Sequence, residues 1–301
     1  MNTNTRPEAA PSQARNFQDR KSEKPNRADH SILPAADSGN TPPRAIRRVL
    51  VTGATGYLGR SLCEVMAKDF DLIRMDIAGS GLRNGDAGQE ILGSVTDRDL
   101  LDRACGQADA LVLGHMFPNQ PGAYAWPDEC MDVNVKGVAL ALEAAARHHI
   151  KRVVLISSVA VVWGHVLAKT FLTNDLPPFP TNIYGMTKWL QENVAWYYHQ
   201  SRGLEIAVLR PAHVLRGDSL VDKYGEKRDL VTWQCIDPRD IGRAAVAALR
   251  ARELAFEKFH LMAGPDAENH ADLDPAREHL GWVPQCRFEG LPVESVWPAV
   301  S

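Results

Sequence analysis

The chain has 301 residues, 45% hydrophobic and 24% charged, with a formal net charge of -3. That composition excludes disorder throughout, and the near-neutral balance gives no electrostatic reason to expect nucleic acid or an anionic membrane as partner. Its five cysteines, Cys63, Cys105, Cys130, Cys235 and Cys286, are scattered without a C-x-x-C pair. They suggest neither a disulfide framework nor a zinc site, and fit a reducing, cytoplasmic setting.

Residues 1–44 are rich in Pro, Asn, Ser, Gln, Arg and Glu and nearly devoid of apolar side chains. Such a stretch cannot bury enough surface to offset ordering entropy, so a disordered extension is expected there, followed by one domain over 45–301. It lacks the apolar core of a secretory signal, and its acidic residues argue against an organelle transit peptide. The longest apolar run, about Val153 to Trp163, is interrupted by two serines and falls short of the ~20 residues that span a bilayer.

From Arg47 onward, β-branched runs alternate with helix-length segments: "RRVLVTG", "FDLIRMD", "QEILGSV", "ALVLGH", "KRVVLISS", "LEIAVLRP" and "FHLMAG". This order predicts an α/β fold of the Rossmann type, a doubly wound parallel sheet covered on both faces, with a small C-terminal cap. The intervening "GRSLCEVMAKD", "DVNVKGVALALEAAARHH", "GMTKWLQENVAWYYHQS" and "RDIGRAAVAALRAR" carry apolar residues at helical spacing.

The first strand leads into "TGATGYLG", which places Gly53, Gly56 and Gly59 between a strand and a helix. In a βαβ unit these glycines permit a tight turn, a close backbone approach to a pyrophosphate, and close packing of helix on strand. The helix amino terminus, with Tyr57 and Leu58 in its first turn, offers unpaired N–H groups to the phosphates. Asp76 ends the second strand about 20 residues on, where a carboxylate accepts hydrogen bonds from an adenosine ribose diol. A 2'-phosphate there meets like charge, so NAD is favoured over NADP. Arg74 and Arg83 are the residues that could reverse that preference.

After the fifth strand comes "SSVAVVWGHVLAKTFLTNDLPPFPTNIYGMTK". Tyr184 and Lys188 lie four apart at the start of a predicted helix and share a face. A tyrosine is a poor base at neutral pH, but an adjacent ammonium favours the phenolate and lowers its pKa. Such a tyrosine can take a proton from a substrate hydroxyl while hydride leaves the same carbon for a nicotinamide. A serine at the strand's carboxyl end can hydrogen-bond the reacting oxygen.

Together "VTGATGYLG", "MDVNVKGV", "VLISSVAVVWG", "YGMTK", "LRPAHV" and "HLGWVP" resemble the extended short-chain dehydrogenase/reductase family, also called the NAD-dependent epimerase/dehydratase family, from about residue 47 to 284. The resemblance implies a Rossmann fold, bound NAD and a Ser/Thr-Tyr-Lys catalytic set. It makes Tyr184 the proton-transferring residue and Lys188 the lysine that also holds the nicotinamide ribose. Asn134 matches a supporting helix asparagine, and Gly114 and Pro211 fall where strand ends pass close to the cofactor. The helix after Tyr184, with Trp189, Trp196, Tyr197 and Tyr198, commonly packs against a second subunit in this family, which implies a homodimer.

The departures from the family pattern concern the substrate. "SSVAVVWG" has one residue more between its serines and Gly164 than the usual S-S-x-x-V-Y-G. Anchored on the strand, the catalytic serine is Ser158, the choice made here; anchored on the glycine, its place falls to Val159, and Ser157 is the reserve. His115 follows Gly114 and is either substrate-facing or structural. His213 stands where the family often has asparagine, and Arg216 follows in the same segment. That segment, up to "CIDPRDIGRA", is barely twenty residues long and is similar to the trimmed version of uronate dehydrogenases. Its basic residues Arg216, Lys223, Lys227 and Arg228 either meet a substrate anion or are solvated.

Substrate-binding elements are therefore expected in 163–183, 211–236 and 263–301, with no metal. The expected activity is NAD-dependent interconversion of a secondary alcohol and its carbonyl on a small sugar-like or hydroxy-acid substrate. A nucleotide-sugar epimerase or dehydratase that recycles NAD is the rival enzyme, and a non-catalytic NAD(P)-binding regulator the rival of another class.

Overall fold

A computed structural model describes residues 45–77, 88–118, 126–288 and 291–293. The expected extension over 1–44, Arg83 and part of the C-terminal cap lie outside the described residues. Strands β1 (Arg48–Thr52), β2 (Asp71–Asp76), β3 (Gln89–Leu92), β4 (Ala110–Leu113), β5 (Arg152–Ile156), β6 (Glu205–Pro211) and β9 (Phe256–Leu261) form one parallel sheet in the order β3-β2-β1-β4-β5-β6-β9. The seven runs read from the sequence are these seven strands. Two further short strands, β7 (His213–Val214) and β8 (Cys235–Ile236), pair with each other beyond the end of β6.

Helices cover both faces, as the unbroken apolar strands require. Val49 and Val51 point to one side and pack with Leu62 and Met66 of α1 (Tyr57–Met66) and with Ile241, Ala244 and Ala248 of α7 (Pro238–Arg250). Leu50 points to the other side, with Leu101 of α2 (Arg98–Cys105), Leu142 of α4 (Gly137–Arg147) and Ala195 of α6 (Ile183–Arg202). This alternation is the period-two geometry of a strand buried on both faces. Gly242 lets α7 approach α1, since a Cβ there would lie 3.0 Å from Val65.

A third apolar cluster sits at the carboxyl edge of β5 and β9. It joins Val159, Val161, Val162 and Val166 to Leu172, Trp233, Met262 and Leu273. Trp189 packs against this cluster, whereas Tyr198 packs on the α4 side and donates its hydroxyl to Glu143. Trp196 and Tyr197 of the same helix are about half exposed. Among the described residues no helix is long and apolar enough to cross a membrane.

Strand order reverses between β1 and β4, and the crevice beyond their carboxyl ends is where sheets of this kind bind ligands. The glycine turn leaves β1 there, Gly114 leaves β4, and the two serines leave β5 along the same edge.

Candidate active site

Gly53 adopts φ +71°, and a Cβ on it would meet the backbone of His115 at 2.8 Å, so the turn admits only glycine. A Cβ on Gly59 would lie 1.9 Å from the Gly53 carbonyl oxygen, which is the close helix–strand approach inferred from the motif. Gly56 differs. Its nearest neighbour on that side is 3.6 Å away, leaving the turn's outer face open. Gly56 is also the N-cap of α1, and no side chain caps that end, so the N–H groups of the first helical turn face the opening. An open backbone cradle on a helix amino terminus fits a dinucleotide diphosphate.

Asp76 is held beside the turn. Its Oδ2 accepts from the Thr55 N–H at 2.8 Å and from the Thr55 hydroxyl at 2.6 Å, and its Oδ1 accepts from the Ile77 N–H at 2.8 Å. Thr55 was not among the residues singled out from the sequence; its position within the "GATG" turn was the available signal. Arg74 is buried, with Glu90 of β3 3.8 Å from its guanidinium.

His115 is 6% exposed and accepts or donates at Nδ1 to the Thr52 hydroxyl at 2.7 Å. Burial, with Lys188 nearby, drops its pKa to about 3, so it stays neutral. The ring is thus buried beside the glycine turn, with Nδ1 bonded to Thr52 and no hydrogen-bond partner at Nε2 among the described residues. Gly114 lies against the Thr52 carbonyl, and Pro211 is buried at the end of β6.

The two serines at the end of β5 diverge, as neighbours on an extended backbone do. Ser157 turns inward and donates to Glu192 Oε1 at 2.6 Å. That carboxylate is also gripped by Arg210 of β6, through Nε at 2.9 Å and a second nitrogen at 2.6 Å. Ser158 accepts from the Ala160 N–H at 3.1 Å and lies near enough to Tyr184 for its hydroxyl to act against the rise of the phenol's pKa. The additional residue is absorbed in a 3-10 turn, Val159–Val162, before the short helix α5 (Trp163–Leu167). Val159 is buried in the third apolar cluster, so Ser158 and not Val159 meets Tyr184.

Tyr184 lies in the first turn of α6, whose N-cap Asn182 accepts from the Gly185 N–H at 2.8 Å. Lys188 follows one turn later, 2% exposed, and donates to the Ile156 carbonyl at 2.8 Å. Its ammonium is 5.9 Å from the centre of the Tyr184 ring. The expected lowering of the tyrosine is not what the geometry gives: burial pushes the phenol above its ordinary range, opposed by the Ser158 hydrogen bond. The lysine bears the reciprocal cost. Burial, reinforced by the Lys223 charge, drops it to about 7, with Glu192 acting the other way.

Asn134 sits in a π-helical turn, Met131–Lys136, that leads into α4. Its Nδ2 donates to the Thr187 hydroxyl at 2.9 Å, its Oδ1 accepts from the Phe117 N–H at 2.7 Å, and its carbonyl accepts from Gln191 at 2.7 Å. It therefore ties α6 to the segment after β4.

The segment after β6 is a small ordered hairpin. Asp222 is 1% exposed and accepts from the Tyr224 N–H at 2.8 Å, the Glu226 N–H at 3.1 Å and Arg228 Nε at 2.9 Å. Tyr57 of the glycine turn donates its hydroxyl to the Val221 carbonyl at 2.6 Å, and burial pushes that phenol up to about 12. The four basic residues read together from the sequence are thus separated. Arg228 is neutralised by Asp222, and Arg216 faces Asp218 at 3.3 Å and Glu64 at 3.7 Å. Lys223 instead lies over Tyr184, 5.6 Å from its ring centre. His213 is half-buried, and burial lowers its pKa, with the Arg228 and Lys223 charges adding to the effect and Asp222 opposing it.

The site therefore brings a serine hydroxyl, a phenol and a buried ammonium to the sheet edge from which the open glycine turn leaves. Uronate dehydrogenase of Pseudomonas syringae pv. tomato is 29% identical over 214 residues, covering 70% of this chain and 73% of that protein. L-arabinose 1-dehydrogenase (NAD(P)(+)) of Haloferax volcanii is 28% identical over 256 residues, covering 79% and 96%. The crystal structure of uronate dehydrogenase from Agrobacterium tumefaciens superposes with a TM-score of 0.65 at 22% identity, over 79% of this chain and 84% of that one. The profile of the NAD dependent epimerase/dehydratase family matches residues 49–218, more than half of the sequence. The chain belongs to the NAD-dependent epimerase/dehydratase family, and is an enzyme of that NAD-dependent type.

Proposed function

We propose that the chain is an NAD-dependent oxidoreductase acting on a secondary alcohol, or its carbonyl, of a small polyhydroxy or hydroxy-acid substrate, with Ser158, Tyr184 and Lys188 at the reacting centre. The observation that carries this reading is the meeting of Ser158 with Tyr184, whose phenol the serine hydroxyl favours in its ionised form, at the sheet edge from which the glycine turn also leaves. Two dehydrogenases of unconjugated sugars among the relatives support it, as does the compact hairpin after β6, which leaves little chain to grip a nucleotide handle.

The open face at Gly56 and the α1 amino terminus, with Tyr57, Leu58 and Gly59, would hold the diphosphate of NAD. Asp76 would hold the adenosine ribose, and Lys188 the nicotinamide ribose, with Gly114, Asn134 and Pro211 shaping that end. NAD, when bound, accepts a hydride from a carbinol carbon or returns one to a carbonyl carbon. Ser158 donates to the reacting oxygen and steadies charge as it develops. Tyr184 takes the hydroxyl proton during oxidation and gives it back during reduction. Lys188 holds positive charge beside the phenol and so favours its ionised form. His213 lines the pocket opposite, and Arg216, between Asp218 and Glu64, borders it.

The homodimer reading is supported by the half-exposed Trp196 and Tyr197 on α6. A cytoplasmic setting is supported by the five cysteines, which form no disulfide.

The test is incubation of the purified chain with NAD and a panel of uronates, aldoses and nucleoside-diphosphate sugars, following NADH and product identity. Net NADH with a uronate or aldose is expected. Isomerised nucleotide sugar without net NADH would sink the oxidoreductase reading in favour of the epimerase one. Tyr184→Phe is expected to lower turnover by about 10²–10⁴-fold with the fold intact.

A further inference from the structure

The basic hairpin after β6 is read most simply as a solvated loop, yet one of its cations is placed on the tyrosine. Lys223 lies between Asp222, buried and accepting four hydrogen bonds from its own loop, and Tyr224, whose ring it also covers at 4.8 Å. Val221 is tethered to Tyr57 of the glycine turn, and Leu215 and Asp222 form an antiparallel bridge. Backbone bonds from Gly225 to Asp222 and from Arg228 to Leu220 close the hairpin, with Gly225 at φ +83°. The loop's position is thus set at one end by the cofactor turn and internally by a buried carboxylate. Its nearer cation, Arg228, is neutralised by that carboxylate, so the charge presented to Tyr184 is the Lys223 ammonium.

We propose that Lys223 is a positioning residue for the reaction: loop 220–228 holds its ammonium against the Tyr184 ring as a second cation, favouring the phenolate that takes the substrate proton. The inference rests on the reading of Tyr184 as the base. Two arguments lead to it. A cation over an aromatic face is attracted by the ring's electron density, and a phenolate ring is richer than a phenol ring. Lys188 is buried against the Ile156 carbonyl and drops to about 7, through burial first and the Lys223 charge second, so the two cations share the positive charge beside the ring and Lys223 is the one exposed to solvent.

The charged and titratable groups around Tyr184 are few and can be assigned. Ser158 approaches from the end of β5, Lys188 from α6 with Glu192 behind it, and Lys223 and Tyr224 from the loop. His213 completes the set from β7, next to Arg228, Asp222 and Lys223, while His115 is neutral behind Lys188.

Tyr184 ionisation is read directly, without a substrate, as the difference in near-ultraviolet phenolate absorbance between the full-length chain and its Tyr184→Phe variant over a pH series, with NAD present. The same difference is taken in the Lys223→Met and Lys223→Arg backgrounds. Lys223→Met is expected to raise the Tyr184 midpoint by about one pH unit or more, and Lys223→Arg to restore it. An unchanged midpoint in Lys223→Met overturns the proposal, as does an equal rise in Lys223→Arg. With glucuronate and L-arabinose as probe substrates, the acid limb of the pH–rate profile should move with the midpoint. Turnover that survives in Tyr184→Phe instead refutes the base assignment, while the titration still reports whether Lys223 acts on the ring.

Discussion

The glycine turn at 53–59 and the hairpin at 220–228 touch each other through Tyr57 and Val221, yet they are held in place by different physics. The turn is shaped by what cannot fit: a Cβ at Gly53 or Gly59 would collide with backbone at 2.8 and 1.9 Å. The hairpin is shaped by what one buried carboxylate attracts, two N–H groups and a guanidinium. Steric exclusion tolerates no substitute, whereas an electrostatic clamp fails by degrees.

The sharpest test of this contrast is Gly59→Ala. The collision is with backbone, so loss of NAD binding and of roughly 3 kcal/mol or more of stability is expected, read by cofactor titration and thermal melting. Next, the paired serines separate chemistry from structure. Ser158→Ala should lower turnover by about 10²–10³-fold with little change in melting. Ser157→Ala should spare turnover more, but cost about 1 kcal/mol because buried Glu192 Oε1 loses one of its two donors and keeps only Arg210 Nε.

Asp222→Asn should be milder, near ~1–2 kcal/mol by denaturant unfolding, since Asn still accepts from the two loop N–H groups while Arg228 is half exposed. Loosening of the hairpin should also show as faster amide exchange over 220–228, with the glycine turn unaffected. If exchange rises equally in both segments, the two are one unit and the contrast is lost.

Near neutral pH the smallest effect is the slope of stability with pH, which grows only as the solution is acidified. His115 drops from 6.5 to about 3 because burial disfavours its charged form. The unfolded chain therefore binds more protons between those values, and stability present above pH 6.5 is lost as pH falls toward 3. His115 alone contributes at most about 1.4 kcal/mol per pH unit in that window. His115→Gln should flatten the slope, measured by unfolding at several pH values. His260, also about 3 through burial and the Arg210 charge, supplies a parallel slope that the variant leaves intact.

The parts of the site that could be read in advance are those written in consecutive residues. The seven apolar runs became seven strands because each buries both faces, and Gly53, Gly56 and Gly59 could be assigned because each glycine answers a local demand. Ser158 was legible only as one of two placements, since the choice depends on how a 3-10 turn absorbs a residue into a distant apolar cluster. Asp76 was read correctly as the carboxylate beside the turn, but its fixation by Thr55 was not. The upward push of burial on the Tyr184 phenol is not legible in the sequence, because spacing reveals that a lysine is near and not how deeply both are buried.

What the sequence by itself determined is the fold class, the dinucleotide turn and the Tyr184–Lys188 pair, all products of short-range sterics and periodicity. Only the tertiary structure decided that Ser157 belongs to Glu192 and Arg210, that Arg228 belongs to Asp222, and that Lys223 is left over Tyr184. Charges choose partners by distance and burial after the sheet has closed. A run of basic residues in one dimension cannot say which of them will meet a carboxylate first.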